Sequence, residues 1–218
     1  MAALTHGLKA EVVRSNLARV RDEIQSAGRD PDEVEILAAV KYLPVEELGV
    51  LAEAGIQLLG ENRAQDLSQK ADAYPGRFTW DFIGMLQSRK VKSVLPYVRY
   101  IHSVASDSAL TQLGRHGTEE TEVLVEVNVA ADAGKAGIAP DELDSFIERC
   151  PVRVVGLMTM PPLAADPEQS RPHFAALREM QTRHRLRHLS MGTSQDYLVA
   201  VQEGATIVRL GNALYQAT

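Results

Sequence analysis

Hydrophobic positions along the chain follow two rhythms. Val13, Leu17, Val20 and Ile24 recur at spacings of four, three and four, which marks one face of a helix that Gly28 ends. From Val34 onward the pattern changes to short, nearly continuous apolar runs over residues 34–40, 56–59, 78–83, 100–103, 122–127, 152–157, 188–190 and 206–209. Runs of this kind suit strands buried on both faces, as in a parallel sheet covered by helices. The segments between them read as helices. One starts near Pro44, with Glu46 and Glu47 in its first turn, and stops at Gly55. Others carry Ala64, Leu67 and Ala71; span residues 87–95; follow a cap at Ser106 or Asp107; or present Leu143, Phe146, Ile147 and Cys150 on one face. The last two cover residues 166–184, with Phe174, Leu177 and Met180 at helical spacing, and 194–203.

Eight strand-like runs alternating with helices, without a linker or low-complexity segment, predict an α/β fold: a single (β/α)8 TIM barrel over residues 1–218 with an extra N-terminal helix. The eighth run falls almost at the C-terminus, so the final outer helix is expected to be a stub. An open flavodoxin-like or Rossmann sheet is the alternative. It would normally use fewer strands, and no G-x-G-x-x-G follows the first run.

Composition narrows the class without naming a function. The 218 residues are 45% hydrophobic and 24% charged, an ordinary globular balance, and the net charge of −6 argues against a dedicated nucleic-acid surface. Cys150 is the one cysteine, which excludes an intrachain disulfide and a cysteine-based zinc site and fits a reducing compartment. Lys9, Glu11, Arg14, Arg19, Arg21, Asp22 and Glu23 interrupt any apolar leader or membrane span in the first 24 residues. A cytoplasmic protein is the expectation.

In such a barrel functional groups gather at the C-terminal ends of the strands. There stand Lys41, Asn62, Gly84 with Gln87, Asn128, Met158 with Thr159, the stretch Ser190-Met191-Gly192-Thr193-Ser194, and Arg209-Leu210-Gly211. Lys41 closes the first apolar run before Pro44. A lysine partly desolvated there would be a candidate amine for Schiff-base chemistry with an aldehyde, although a solvated lysine closing a strand is the commoner case. Loops after strands seven and eight of these barrels frequently hold phosphate, with glycines admitting backbone N–H groups and hydroxyls adding donors. The Ser-Met-Gly-Thr-Ser stretch has that make-up, and also that of a simple helix cap. A lysine at one end and a phosphate cup at the other point to a ligand with an aldehyde and a phosphate, and pyridoxal 5'-phosphate (PLP) has both.

Several stretches, in order, resemble the YggS/PROSC-type family of pyridoxal phosphate homeostasis proteins. They are Ala39-Val40-Lys41 with Pro44, Gly60-Glu61-Asn62, Phe82-Ile83-Gly84-Met85-Leu86-Gln87 with Lys90, Val127-Asn128 with Lys135 and Gly137, Gly156-Leu157-Met158, Ser190-Met191-Gly192 with Ser194 and Asp196, and Val208-Arg209-Leu210-Gly211. The resemblance implies a barrel like the N-terminal domain of alanine racemase, with Lys41 holding PLP as an internal aldimine. It further implies that Asn62 lies close to the cofactor, that Ser190, Gly192, Thr193, Ser194 and Gly211 surround the phosphate, and that Arg209 faces the pyridine nitrogen. An arginine there would keep that nitrogen unprotonated and the cofactor a poor electron sink. Asp81 departs from the family pattern, where a histidine commonly follows the tryptophan; Thr193 stands where a methionine is usual, and Gln216 replaces a glycine.

The implied role is cofactor homeostasis without classical turnover, with apo PLP-dependent enzymes as possible recipients and a monomer or homodimer as the working form. A PLP-dependent racemase is the rival. It needs a second base, for which Tyr42, Tyr197 and Tyr215 are the candidates. A barrel aldolase, with Glu126 or Asp81 as the acid beside Lys41, is a third class. Lys135 reads as exposed and is a candidate second site for the aldehyde. Met158 and Met160 read as packing, and the basic stretch 183–188 as a solvated helix end. His184 and His188 are four apart, but the break into strand seven removes a metal-binding geometry, and His102 has no neighbouring nucleophile pattern.

Overall fold

A computed structural model describes residues 7–216; residues 1–6, part of the N-terminal stretch read above, and 217–218 lie outside the described residues. The strands are β1 (Glu35–Ala39), β2 (Leu58–Glu61), β3 (Thr79–Phe82), β4 (Tyr100–Val104), β5 (Glu122–Glu126), β6 (Arg153–Met158), β7 (His188–Thr193) and β8 (Ile207–Leu210). All pair in parallel, each with its neighbour in sequence, and β8 closes onto β1. The (β/α)8 expectation therefore holds, and the open sheet is excluded.

Two boundaries moved in informative ways. β2 begins at Leu58 and runs through Gly60 and Glu61; within it Gly60 lies close against Leu37, from whose Cδ2 a Cβ would stand 2.2 Å. β7 runs on past Ser190 to Thr193, so the glycine-containing stretch is partly strand, with a register irregularity against β8 between Ser190 and Thr193.

The helices are α1 (Ala10–Ser26), α2 (Leu48–Glu53), α3 (Ala64–Ala73), α4 (Val91–Val94), α5 (Asp107–His116), α6 (Leu143–Arg149), α7 (Arg171–His184), α8 (Tyr197–Gln202) and α9 (Asn212–Tyr215). Ser106 caps α5 by accepting from the Ala109 N–H at 3.2 Å. The predicted helix at Pro44 starts as a 3-10 turn, and Glu47 turns its carboxylate to the N–H groups of Gly7 and Leu8, at 2.7 and 3.1 Å, instead of to its own helix. α9 is the expected stub. α1 packs against α9, α8 and α2 and covers that side of the barrel. Asn16 fixes it there, its Nδ2 donating to Leu214 O at 3.2 Å and Gln216 O at 2.9 Å.

Alternation along the strands divides the core in two. Ala38, Leu59, Trp80, Phe82, Val123, Val125 and Val208 pack outward against helix residues such as Val20, Leu67 and Phe174. The barrel interior holds a smaller apolar belt of Leu37, Tyr100, Leu124, Val155 and Ile207. Above and below that belt the interior is polar. Met158 is buried as expected, but Met160 is 54% exposed and does not pack, because β6 ends at Met158 and the chain leaves the barrel. Cys150 is half-buried at the end of α6, and burial pushes its thiol up. Among the described residues no helix is long and apolar enough to cross a membrane.

Candidate functional site

Lys41 stands at the C-terminal end of β1, two residues beyond Ala39; Asn62 stands two beyond Gly60, and Ala39 and Gly60 are register partners. The two side chains thus leave adjacent strands at the same level. Lys41 is exposed, the solvated strand-end lysine that its position alone favours, and its Nζ sits 4.6 Å from the centre of the Tyr42 ring. Its backbone is anchored from behind. Lys70 of α3, almost fully buried, donates to Val40 O at 2.7 Å and to Glu61 Oε2 at 2.6 Å. The other Glu61 oxygen accepts from the N–H groups of Asn62 and Arg63 at 2.5 and 3.1 Å. One buried ion pair therefore fixes both strand ends.

Asn62 is held from a second side by Gly84. A Cβ on Gly84 would fall 1.9 Å from Asn62 O, so only glycine lets the loop after β3 lie on that backbone. The Asn62 Oδ1 is buried and without a hydrogen-bond partner.

On the opposite side, β7 and β8 bring Thr193 beside Arg209. Gly192 takes φ +89°, and a Cβ there would meet Ala200 Cβ at 2.6 Å, so the backbone can lie close against α8 only as glycine. The N–H and O–H of Thr193 both donate to Asp196 Oδ1, at 2.7 and 3.0 Å. Ser194 Oγ accepts from the N–H groups of Gly211 and Ala213, both at 3.1 Å, leaving its own hydrogen to donate. Gly192, Thr193, Asp196 and Arg209 line a cavity of ≈ 90 Å³. Lys135 reaches the same cavity, half-buried instead of exposed, with Nζ 3.3 Å from Pro161 O.

Ser190 and Arg209 lie deeper. Arg209 donates through Nη1 to Ser190 O and Oγ, both at 2.7 Å, and through Nη2 to Thr159 O at 3.0 Å. That leaves its Nε–H and one Nη2–H for another acceptor. Burial pulls its pKa down to about 10, against the carboxylates of Glu126 and Asp196, so it stays a cation at neutral pH. Ser190 is sealed in the interior, where its Oγ also meets His102 Nδ1 at 2.8 Å; the structure brings it to Arg209 and not to the cup's rim. His102 Nε2 lies 3.1 Å from Asp81 Oδ2. No local spacing signals this link, because Ser190 is 88 residues from His102. Asp81 faces inward, and Arg99 binds both of its oxygens, at 3.1 and 2.8 Å, while also gripping Glu35.

Burial would raise the Asp81 carboxyl, but the hydrogen bonds and charges of His102 and Arg99 outweigh it and hold Asp81 below the usual range. Burial likewise holds His102 low, hence neutral.

Comparison with known proteins follows the same outline. Residues 10–218 match the family profile described as "Alanine racemase, N-terminal domain". The chain is 37% identical over 213 residues to the pyridoxal phosphate homeostasis protein of Aquifex aeolicus, covering 91% of this chain and 93% of that one. It is 35% identical to the protein of the same name from Pseudomonas aeruginosa, over 95% of each chain. This chain belongs to the pyridoxal phosphate homeostasis protein family. Among solved structures, PipY of Synechococcus elongatus with PLP bound superposes with a TM-score of 0.79 at 30% identity, over 94% of this chain and 100% of that one.

The residues present fit the cofactor bound in PipY. An exposed amine, an unpartnered buried carbonyl on Asn62, a glycine cradle and an arginine with donors to spare stand at one barrel mouth. Of the two acids open to the aldolase reading, Asp81 is committed to Arg99 and His102. Tyr197 and Tyr215, both open to the racemase reading, are engaged as well. Tyr197 donates to Glu23 of α1, and Tyr215 donates to Ala39 O at 3.3 Å with its hydroxyl pushed up by burial. His184 pairs with Asp144 at 3.0 Å, and His188 turns into the barrel beside Tyr100.

Proposed function

We propose that this chain holds pyridoxal 5'-phosphate on Lys41 and serves the homeostasis of that cofactor without classical turnover. When bound, the cofactor supplies an aldehyde that condenses with a lysine amine, with loss of water. Lys41 is the amine, because it is exposed at its tip and anchored along its backbone. Asn62 orients the ring with its side-chain amide, and Gly192, Thr193, Ser194 and Gly211 form the cup for the phosphate. Asp196 keeps the Thr193 donors in place until an anion competes for them. The observation that carries the reading is Arg209: a clamped cation at the mouth can donate a hydrogen bond to the ring nitrogen but does not surrender a proton. Electron withdrawal into the ring is then weak, which disfavours racemisation and decarboxylation.

The test is an ultraviolet-visible spectrum of the purified protein with added PLP, followed by borohydride reduction and peptide mapping. A visible band that becomes fixed on Lys41, with no D-alanine formed from L-alanine, is the expected result. Label scattered over surface lysines would end the binding reading. D-alanine formation that disappears in Lys41→Ala would replace it with the racemase.

A further inference from the structure

Asp81 and His102 play no part in the binding described above, yet both are buried and joined through Ser190 in one line beneath Arg209. The chemistry of the groups fixes the direction of every bond. A guanidinium only donates, so Ser190 Oγ accepts from Arg209 Nη1. The Asp81 carboxylate only accepts, so a neutral His102 spends its one ring proton on it, and Nδ1 is left to accept the serine hydrogen. The ring proton of a neutral His102 therefore sits on Nε2 and is donated to Asp81 Oδ2. All donors run one way, from the cation at the cofactor mouth to the carboxylate in the barrel. The carboxylate is set by Arg99 from the other end and by the Tyr100 N–H at 3.2 Å.

We infer that Asp81 is a positioning residue which, through the His102 tautomer and the Ser190 hydroxyl, fixes Arg209 against the cofactor. The inference rests on the proposed PLP reading for its last link only. The charges also balance: Glu35 and Asp81 face Arg99 and Arg209 across a neutral histidine. Asparagine in place of Asp81 cannot keep the order. If its amide –NH2 faces His102, two donors meet, and relief comes from moving the ring proton to Nδ1. That proton then points at Ser190 Oγ, and the serine hydrogen must turn away from Nδ1, which reorients the acceptor on which Arg209 rests.

Two readouts separate the link from the reading beneath it. The first uses ring-nitrogen-labelled histidine and NMR of the protein without PLP at pH 7. His102 is expected as the Nε2–H tautomer in the wild type and in Ser190→Ala, and as the Nδ1–H tautomer in Asp81→Asn. An Nδ1–H wild type, or a tautomer indifferent to Asp81→Asn, overturns the inference.

The second readout is retention of PLP fixed on Lys41. Asp81→Asn and Ser190→Ala are each expected to weaken it about tenfold, the cost of one hydrogen bond to a charged group. The double variant is expected to lose no more than either single one, because both interrupt the same line. Additive losses, or none, overturn the inference even with the tautomer as described. Absence of Lys41 labelling in the wild type overturns the PLP reading instead, and the cofactor half of the inference with it. Should Asp81→Asn fail to fold, the wild-type tautomer carries the first measurement, which an Nδ1–H ring overturns, and Ser190→Ala carries the second.

Discussion

Lys41 and Arg209 are two cations of the candidate site, carried by neighbouring strands, and the protein positions them by opposite means. Arg209 is held by its tip: three hydrogen bonds reach its guanidinium, and it is 7% exposed. Lys41 is held by its backbone, where Lys70 grips the preceding carbonyl, and its amine is left exposed. The difference follows from what each group can do. An amine must lose its charge and reach an electrophile, so clamping it would block the reaction; an arginine acts as a fixed donor and gains from being clamped.

The sharpest way to break the comparison is to remove the free tip. Lys41→Ala should abolish borohydride-fixed PLP on the 41–63 region and should not shift it to Lys70, whose Nζ is committed to Glu61 and Val40. Mapping label to Lys70 in that variant would show that accessibility does not select the nucleophile.

Next in size is the anchor. Lys70→Met leaves the Glu61 carboxylate buried with only backbone donors, and loss of one partner of a buried pair costs about 3–5 kcal/mol. Urea unfolding should show that loss. The Glu61→Leu and Lys70→Met double variant should recover much of it while the Asn62 backbone N–H loses its carboxylate acceptor. Recovery of stability together with undiminished PLP binding would mean that the pair stabilises the barrel without placing the site.

These residues also show what was legible in the sequence. The eight runs gave the barrel because strands buried on both faces leave short unbroken apolar stretches. Lys41 stood out because a charge ended one of them. Lys70 carried a weaker signal: it follows Ala64 and Leu67 at three-residue spacing and therefore shares the inward face of α3, where a lysine needs a partner. Asp81 was likewise readable in part, since Trp80 and Phe82 take the helix side of β3 and leave Asp81 the barrel side. Its partner was not, because strand neighbours far apart in sequence leave no local spacing. The exposure of Lys41 has a local cause. The apolar run belongs to the outer core, and its hydrophobicity ends with the strand.

A smaller effect concerns pH. Burial keeps His102 and His188 neutral, with pKa values below the ordinary 6.5. The unfolded chain therefore binds protons that the folded chain refuses. Stability is full above pH 6.5 and falls as the pH drops below it, by at most about 1.4 kcal/mol per pH unit for each histidine. His102→Asn should lower stability overall but flatten this slope between pH 6.5 and 5. A slope unchanged in that variant would mean that His102 takes up its proton without unfolding, and the neutral histidine under Arg209 would have to be abandoned.

The smallest effect tests how free the Lys41 tip is. Its Nζ lies 4.6 Å from the Tyr42 ring centre, and Tyr42 is 41% exposed, so the contact is a solvent-facing cation–π pair worth about 0.5–1 kcal/mol. The attraction exists only while the nitrogen is charged, and it is forfeited when the amine becomes a nucleophile. Tyr42→Leu should therefore speed the fixing of PLP on Lys41 by about two- to fivefold at constant pH, the same energy read as a rate. The direction matters more than the size. Slower labelling would mean that the ring steers the amine toward the aldehyde, and Lys41 would then resemble Arg209 in being held by its tip.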